Sequence, residues 1–115
     1  MDNKKSILIK KIKKAILERG YYFDQYPKIN FSNYLTGKLN YDYTYLSNLF
    51  SDSEGLTIEH FILIHKIEKV KKLIISNEFN LTEIAKKLHY SSVAHLSNQF
   101  KKITGYTPSF FKSLN

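Results

Sequence analysis

The sequence predicts an all-α protein of about seven helices, in which two short helices joined by a tight turn occur twice and a longer helix links the two copies. Three observations support this prediction. Apolar residues recur every three or four positions along most of the 115 residues, as they do on one face of a helix. Helix-capping residues and glycines separate those runs. A pattern of residues also recurs after about 50 positions, which indicates a duplicated supersecondary unit.

The first helix is predicted over residues 4–19, with Gly20 closing it. Its apolar stripe consists of Leu8, Ile12, Ala15 and Ile16, and Lys10, Lys11, Lys13 and Lys14 lie largely off that stripe. This pattern favours a helix that packs onto the unit following it. A basic amphipathic helix lying on a membrane surface is the alternative.

Aromatic side chains crowd residues 21–26, and Pro27 ends any helix there. Rings spaced so closely favour core and rim packing over stacking on bases. Asn30 is predicted to cap the next short helix, which includes Leu35. Asn40 is predicted to be a left-handed turn residue, because Asn is among the non-glycine types most often found at positive φ.

The second helix of the first unit is predicted from Asp42 or Tyr43 to about Asp52. Its inward-facing residues are Leu46, Leu49 and Phe50, and its outward-facing residues are Thr44, Ser47, Asn48 and Ser51. Gly55 is predicted to end this helix, and Thr57 to cap the next one.

The longest periodic segment covers residues 57–76 and is predicted to be the linking helix. Its apolar stripe consists of Leu63, Ile67, Val70 and Ile74, flanked by Phe61 and Ile64. Lys66, Lys69 and Lys72 are predicted to share another face, where Glu68 and Lys72 form a weak pair.

The second unit begins with Asn80 and Glu83, whose spacing predicts a capping box. Ile84, Ala85 and Leu88 form the apolar face of its first helix, and His89 takes the turn position that Asn40 has in the first unit. In its second helix, Leu96, Phe100 and Ile103 face inward. Ala94, Ser97, Asn98 and Lys101 face outward.

The two units share the motif LSN-x-F, followed by G-x-T and then by Phe. In the first unit these residues are Leu46, Ser47, Asn48, Phe50, Gly55, Thr57 and Phe61, and in the second they are Leu96, Ser97, Asn98, Phe100, Gly105, Thr107 and Phe111. The repeated unit is therefore predicted to be a helix-turn-helix.

Charge and composition narrow the class of partner. A net charge of +8 indicates a polyanion, either nucleic acid or a membrane surface. The chain has no Cys, which excludes disulfides and thiolate metal sites. No apolar run approaches the ~20 residues of a membrane span. Lysines interrupt the N-terminal run too often for a signal peptide, so we expect a cytoplasmic, nucleoid-associated protein with no membrane partner.

The run LTEIAKKLHYSSVAHLSNQFKKITGYTPSFFK, with YLSNLF and KIEKVKKLI before it, resembles the C-terminal signature of the AraC/XylS family of bacterial transcription regulators. The resemblance covers about residues 30–112 and implies two homeodomain-like helix-turn-helix units that bind double-stranded DNA. Three departures stand out: His89 replaces the usual turn Gly, Lys66 replaces the usual Arg, and Asn48 and Asn98 stand where Arg is frequent.

Candidate site residues follow from the outer faces of the two predicted recognition helices. An Asn amide bonds bidentately to adenine, which makes Asn48 and Asn98 the sharpest candidates, although a solvent-facing or phosphate-bound Asn is the alternative. The other base-facing candidates are Thr44, Ser47, Ser51, Val93, Ala94, His95 and Ser97, and Val93 is equally consistent with a core position. The phosphate candidates are Lys86, Lys87, Lys101 and Lys102, for which a solvated surface is the alternative.

Enzymatic and metal chemistry find no support in the sequence. His60, His65, His89 and His95 lack metal-ligand spacing, and no nucleophile has a plausible base. We therefore expect no catalytic residue, no cofactor and no metal.

The sequence thus predicts one DNA-binding domain over residues 1–115, with a first part at 4–56, a linker helix at 57–76 and a second part at 80–115. The linker would be ~30 Å long, close to the ~34 Å of one turn of B-DNA, so that it would hold two recognition helices in adjacent major grooves. The alternatives are a helical adaptor that docks on a protein such as RNA polymerase, and a non-specific binder of nucleic acid or membrane surfaces. A separate sensing or dimerisation domain is expected elsewhere if the chain is part of a longer protein.

Overall fold

A computed structural model describes residues 3–20 and 31–115. These residues form seven helices and no strand, as the sequence predicts. The helices are α1 Lys4–Gly20, α2 Phe31–Leu39, α3 Tyr43–Glu54, α4 Ile58–Ser76, α5 Leu81–Lys87, α6 Val93–Thr104 and α7 Pro108–Ser113. The predictions for residues 21–27 and for Asn30 lie outside the described residues. No helix in the described ranges is both long and apolar enough to cross a membrane.

Two separate apolar cores hold the helices together. The first core joins α1, α2 and α3 to the start of α4 at Ile58, and it contains all four residues of the predicted α1 stripe. The second core joins the rest of α4 to α5 and α6. Because α4 contributes to both cores, it links two helical units within a molecule of 45 × 29 × 20 Å.

The predicted stripe of α4 packs on the second core, but it does not describe the start of the helix. Ile67, Val70 and Ile74 are buried in the second core, whereas Leu63 is half-buried at its edge. The first half turns Ile58 into the first core, and Phe61 and Ile62 pack there as well. A single stripe cannot serve two cores that lie on different sides of one helix, so the apolar face shifts partway along α4.

Capping residues fix the helix boundaries. The backbone N–H of His60 donates to the Thr57 hydroxyl at 3.0 Å, and that of Phe110 donates to the Thr107 hydroxyl at 3.1 Å. Both residues of the predicted capping box make their hydrogen bonds, at 2.8 and 2.9 Å. Gly55 and Gly105 end α3 and α6 at φ of 76° and 85°, a backbone region that favours glycine. The repeat in the sequence is therefore a repeat in structure.

The two units also share a ring contact. Phe50 and Phe61 meet edge to face with centroids 5.3 Å apart, and Phe100 and Phe111 do so at 5.4 Å. In both units the first ring lies on the predicted recognition helix and the second on the helix that follows. Equivalent edge-to-face pairs thus join each recognition helix to the helix that follows it.

Two local predictions need correction. The Glu68 carboxylate pairs with Lys71 at 2.9 Å and not with Lys72, since residues three and four positions along a helix are both neighbours of Glu68 and spacing alone does not choose between them. The helix α3 extends to Glu54, beyond the predicted end near Asp52. Both turn residues were predicted correctly, since Asn40 and His89 each have φ of 59°.

Candidate nucleic-acid interface

The outer face of α6 is open to solvent along its length. Leu96 and Phe100 are fully buried beneath it. On the outer side, Ala94, His95, Asn98, Lys101 and Lys102 are exposed and Ser97 is half-buried. Val93 is partly buried and packs against the second core, so it has less freedom to reach a ligand than the other candidates.

The outer face of α3 repeats this arrangement. Leu46 and Phe50 are fully buried. Thr44 and Asn48 are exposed, and Ser47 and Ser51 are half-buried. The tripeptide Leu-Ser-Asn therefore has the same burial pattern in both units, which leaves an exposed Asn at equivalent points of α3 and α6.

Tyr45 is a candidate that the sequence analysis missed. It stands one position after Thr44 in the first turn of α3, its side chain is 45% exposed, and its ring stacks on that of Tyr41 with centroids 5.5 Å apart. Aligning the two repeated units would have identified Tyr45, because it matches His95, which the sequence analysis did name as a candidate.

His95 is held in place at the start of α6. Its Nδ1 lies 3.2 Å from the Ser91 hydroxyl, and its ring makes an edge-to-face contact with the Tyr90 ring at a centroid distance of 5.0 Å. The backbone N–H of His95 donates to the Ser92 hydroxyl at 3.0 Å, which caps α6. The imidazole is thus oriented by the turn that precedes the helix.

Lys66 connects the linker helix to that same turn. Its ammonium lies 4.1 Å from the centroid of the Tyr90 ring, in a cation–π contact. Burial lowers the pKa of Lys66 and raises the pKa of Tyr90 to about 12. The sequence analysis predicted the face of α4 that Lys66 shares with Lys69 and Lys72 but not its surroundings, since its side chain reaches the Tyr90 ring of the second unit and is half-buried there.

Charge is distributed unequally between the two units. The second unit presents five exposed lysines, which are the phosphate candidates Lys86, Lys87, Lys101 and Lys102 together with Lys112 in α7. Helix α3 has no basic residue, and it carries Asp52 and Glu54 near its C-terminus. The Tyr43 hydroxyl donates to Glu59 at 2.9 Å, and burial together with this bond raises the Tyr43 pKa well above its ordinary value. The second unit is therefore the better electrostatic match for a polyanion.

No group of three or more His, Cys, Asp or Glu side chains is placed to hold a metal ion within residues 3–20 and 31–115. The histidines have other surroundings. His65 packs against the Phe61 ring with centroids 4.4 Å apart, and His89 occupies the left-handed turn.

A helix-turn-helix that occurs twice on one linking helix, with polar outer faces on both second helices, defines a class of DNA-binding domain. A family model described as "Helix-turn-helix domain" matches residues 35–113. The chain belongs to the AraC/XylS family of transcription regulators.

Relatives and solved structures agree with this assignment. The Msm operon regulatory protein of Streptococcus mutans is 28% identical over 99 residues, which cover 79% of this chain and 36% of that protein. The xylose operon regulatory protein of Escherichia coli K12 is 31% identical over 70 residues, which cover 61% of this chain and 18% of that protein. The C-terminal domain of the two-component response regulator yesN from Fusobacterium nucleatum superposes with a TM-score of 0.74 at 27% identity, covering 90% of this chain and 95% of that one.

The chain spans 10% to 36% of the length of the curated relatives that it matches. What it shares with them is the AraC-type domain that binds DNA in transcription regulation. Domains of this family are DNA-binding modules and typically not enzymes.

Proposed function

We propose that this chain is one DNA-binding domain that reads a single asymmetric site on double-stranded DNA, with α3 and α6 in successive major grooves on the same side of the duplex. The observation that carries the proposal is the rigid connection between two alike helices. Helix α4 contributes to both cores, so it connects the two units directly. Its 19 residues make it about 28 Å long. Successive major grooves on one side of B-DNA are ~34 Å apart.

Within this proposal, the exposed Asn48 and Asn98 contact base edges, and Thr44, Ser47, Ser51, Ala94, His95 and Ser97 complete the two reading faces. Lys86, Lys87, Lys101 and Lys102 contact phosphates and fix the register. The site is asymmetric because the two helices carry different residues around the shared Ser-Asn pair.

We predict that Asn98→Ala relaxes base preference at one position of the site, whereas Lys101→Ala weakens binding to all sequences alike. The reason is that a bidentate amide–base contact contributes ~1–3 kcal/mol of discrimination, while a phosphate contact carries no sequence information. A binding site is first selected from random duplex DNA with the wild-type protein. Both variants are then titrated against this selected site and against random duplex DNA. Equal losses on the two DNAs for Asn98→Ala would contradict a base contact.

A longer regulator is part of the proposal. The relatives are more than twice as long as this chain, and the solved domain from Fusobacterium nucleatum is the C-terminal part of a response regulator. A sensing or dimerisation domain would control this domain, and an exposed face of it would contact RNA polymerase when it activates transcription. Because proteins of this family bind DNA, we propose that this protein acts in the cytoplasm at the nucleoid.

The adaptor alternative makes an opposite prediction. A helical protein that docks on RNA polymerase without reading DNA would retain polymerase binding and show no salt-sensitive binding to duplex DNA. Competition among duplex DNA, RNA and anionic vesicles distinguishes the proposal from a non-specific basic binder, which would not prefer the duplex.

A further inference from the structure

Helix α1 carries the charge that the first helix-turn-helix lacks. It has seven basic residues and one acidic residue, Glu18. Over residues 31–56, by contrast, the single basic residue is Lys38, and the acidic residues are Asp42, Asp52 and Glu54. The first unit without α1 is thus negatively charged, which would repel the phosphates that flank any base it reads.

The lysines of α1 fall on two sides with different surroundings. Lys13 forms an ion pair with Glu54 of α3, and Lys5 and Lys10 line a groove that also contains Asp52 and Glu54. Cations on this side of α1 therefore face carboxylates at the C-terminal end of α3. Their charge is partly compensated within the protein.

The other side of α1 borders an open groove of about 320 Å³, lined by Lys4, Lys11, Lys38, Asn40 and Tyr41 among others. The ammonium of Lys38 is already bound, to Glu18 at 2.9 Å. Lys4 and Lys11 are exposed, and no ion pair within the described residues involves either of them. The groove thus offers two uncompensated cations.

The position of this groove points to its ligand. Its wall includes Asn40 and Tyr41 of the α2–α3 turn, and the Tyr41 ring stacks on Tyr45 in the first turn of α3. The start of α3 is the end that a helix-turn-helix inserts into the major groove. Lys4 and Lys11 would therefore lie beside the edge of the DNA major groove that α3 enters. The backbone phosphates line that edge.

We infer that Lys4 and Lys11 bind backbone phosphates beside the half of the site read by α3. Helix α1 would then supply the electrostatic attraction to DNA that the rest of the first unit lacks. This inference rests on the proposed function. It assigns α1 a role in DNA binding besides its packing, and it balances the two units, since the second has its own exposed lysines.

The test compares two double variants of the chain that remove the same charge from the same helix. Lys4→Gln/Lys11→Gln changes the groove, and Lys5→Gln/Lys14→Gln changes exposed lysines that do not line it. Thermal melts confirm that both variants fold. Affinity for the selected duplex is then measured from 50 to 200 mM monovalent salt for wild type and both variants.

We expect the groove variant to bind more weakly than wild type at low salt and to have a shallower plot of log K against log salt, by about 1.8 for two lost phosphates. The gap to wild type should then narrow about tenfold between 50 and 200 mM salt. The control variant should stay close to wild type in both respects. A hydroxyl-radical footprint should lose protection next to the half-site read by α3 in the groove variant alone.

Other results overturn one claim or the other. If wild type binds with a steep salt dependence but the groove and control variants are indistinguishable, the role of Lys4 and Lys11 is refuted while the proposed function stands. If wild type itself shows no salt-sensitive binding to duplex DNA, the proposed function fails and the inference fails with it.

Discussion

At the scale of single residues, Tyr90 connects the linker helix to the second recognition helix. Lys66 of α4 lies over its ring, and the His95 ring of α6 meets it in an edge-to-face contact. The Tyr90 hydroxyl is buried and has no hydrogen-bond partner within the described residues. A buried hydroxyl without a partner usually costs stability, so the ring and not the hydroxyl is what this position requires.

Tyr90→Phe should therefore be neutral or slightly stabilising at pH 7, as measured by thermal or denaturant unfolding. The difference should grow in alkali. Burial raises the Tyr90 pKa to about 12, whereas an unfolded tyrosine titrates near about 10. Between those values the unfolded chain gives up a proton that the folded chain keeps, so stability is lost as pH rises.

Wild type should thus lose stability more steeply than Tyr90→Phe over that pH range. Burial lowers the Lys66 pKa, which acts in the opposite direction, so the difference between the two proteins isolates the tyrosine. Parallel stability curves for wild type and variant would show that Tyr90 titrates normally in the folded state.

Sequence reasoning succeeded for some residues and failed for others at this scale. The positive φ of Asn40 and His89 followed from residue type and position in the turn, which are local. The burial of Lys66 did not, because helical periodicity says which face a lysine occupies but not that a tyrosine more than 20 residues later will cover it. Tyr45 was visible through the repeat and was missed.

At the scale of helices, each recognition helix is anchored by the same two apolar residues. Leu46 and Phe50 in α3, and Leu96 and Phe100 in α6, have no exposed surface. Their spacing of four residues places them on one face, opposite the exposed Asn. The packing of these pairs determines which side chains each helix presents outward.

Leu96→Ala should lower the free energy of unfolding by ~2–5 kcal/mol, because it leaves a cavity in the second core. Leu114→Ala is the matched control, since Leu114 is 58% exposed and should change stability by less than ~0.5 kcal/mol. Denaturant unfolding of both variants measures the difference. Equal stabilities would contradict the anchoring role of Leu96.

Helix existence and inner faces were predictable from sequence, because the periods, caps and glycines are all local signals. The change of face along α4 was not. It depends on where two separate cores lie relative to one helix, which is a property of tertiary packing. For the same reason the groove beside α1 could not be foreseen, since its walls come from α1 and from the turn before α3.

At the scale of the whole molecule, the net charge of +8 comes mainly from α1 and from the second unit. The total charge predicts a polyanionic partner. The sequence also shows that α1 and the second unit are basic and that α3 has no basic residue. The structure adds which side of α1 each lysine occupies. Binding should therefore involve both ends of the molecule, joined by α4.

The most direct test of this account is the spacing of the DNA site. Selection from random duplex DNA should yield two blocks of informative bases centred about 10 base pairs apart. Inserting about 5 base pairs between the blocks turns one of them to the opposite side of the duplex, and affinity should then fall to the level of random DNA. A single block, or binding that tolerates the insertion, would contradict two recognition helices held by one rigid linker.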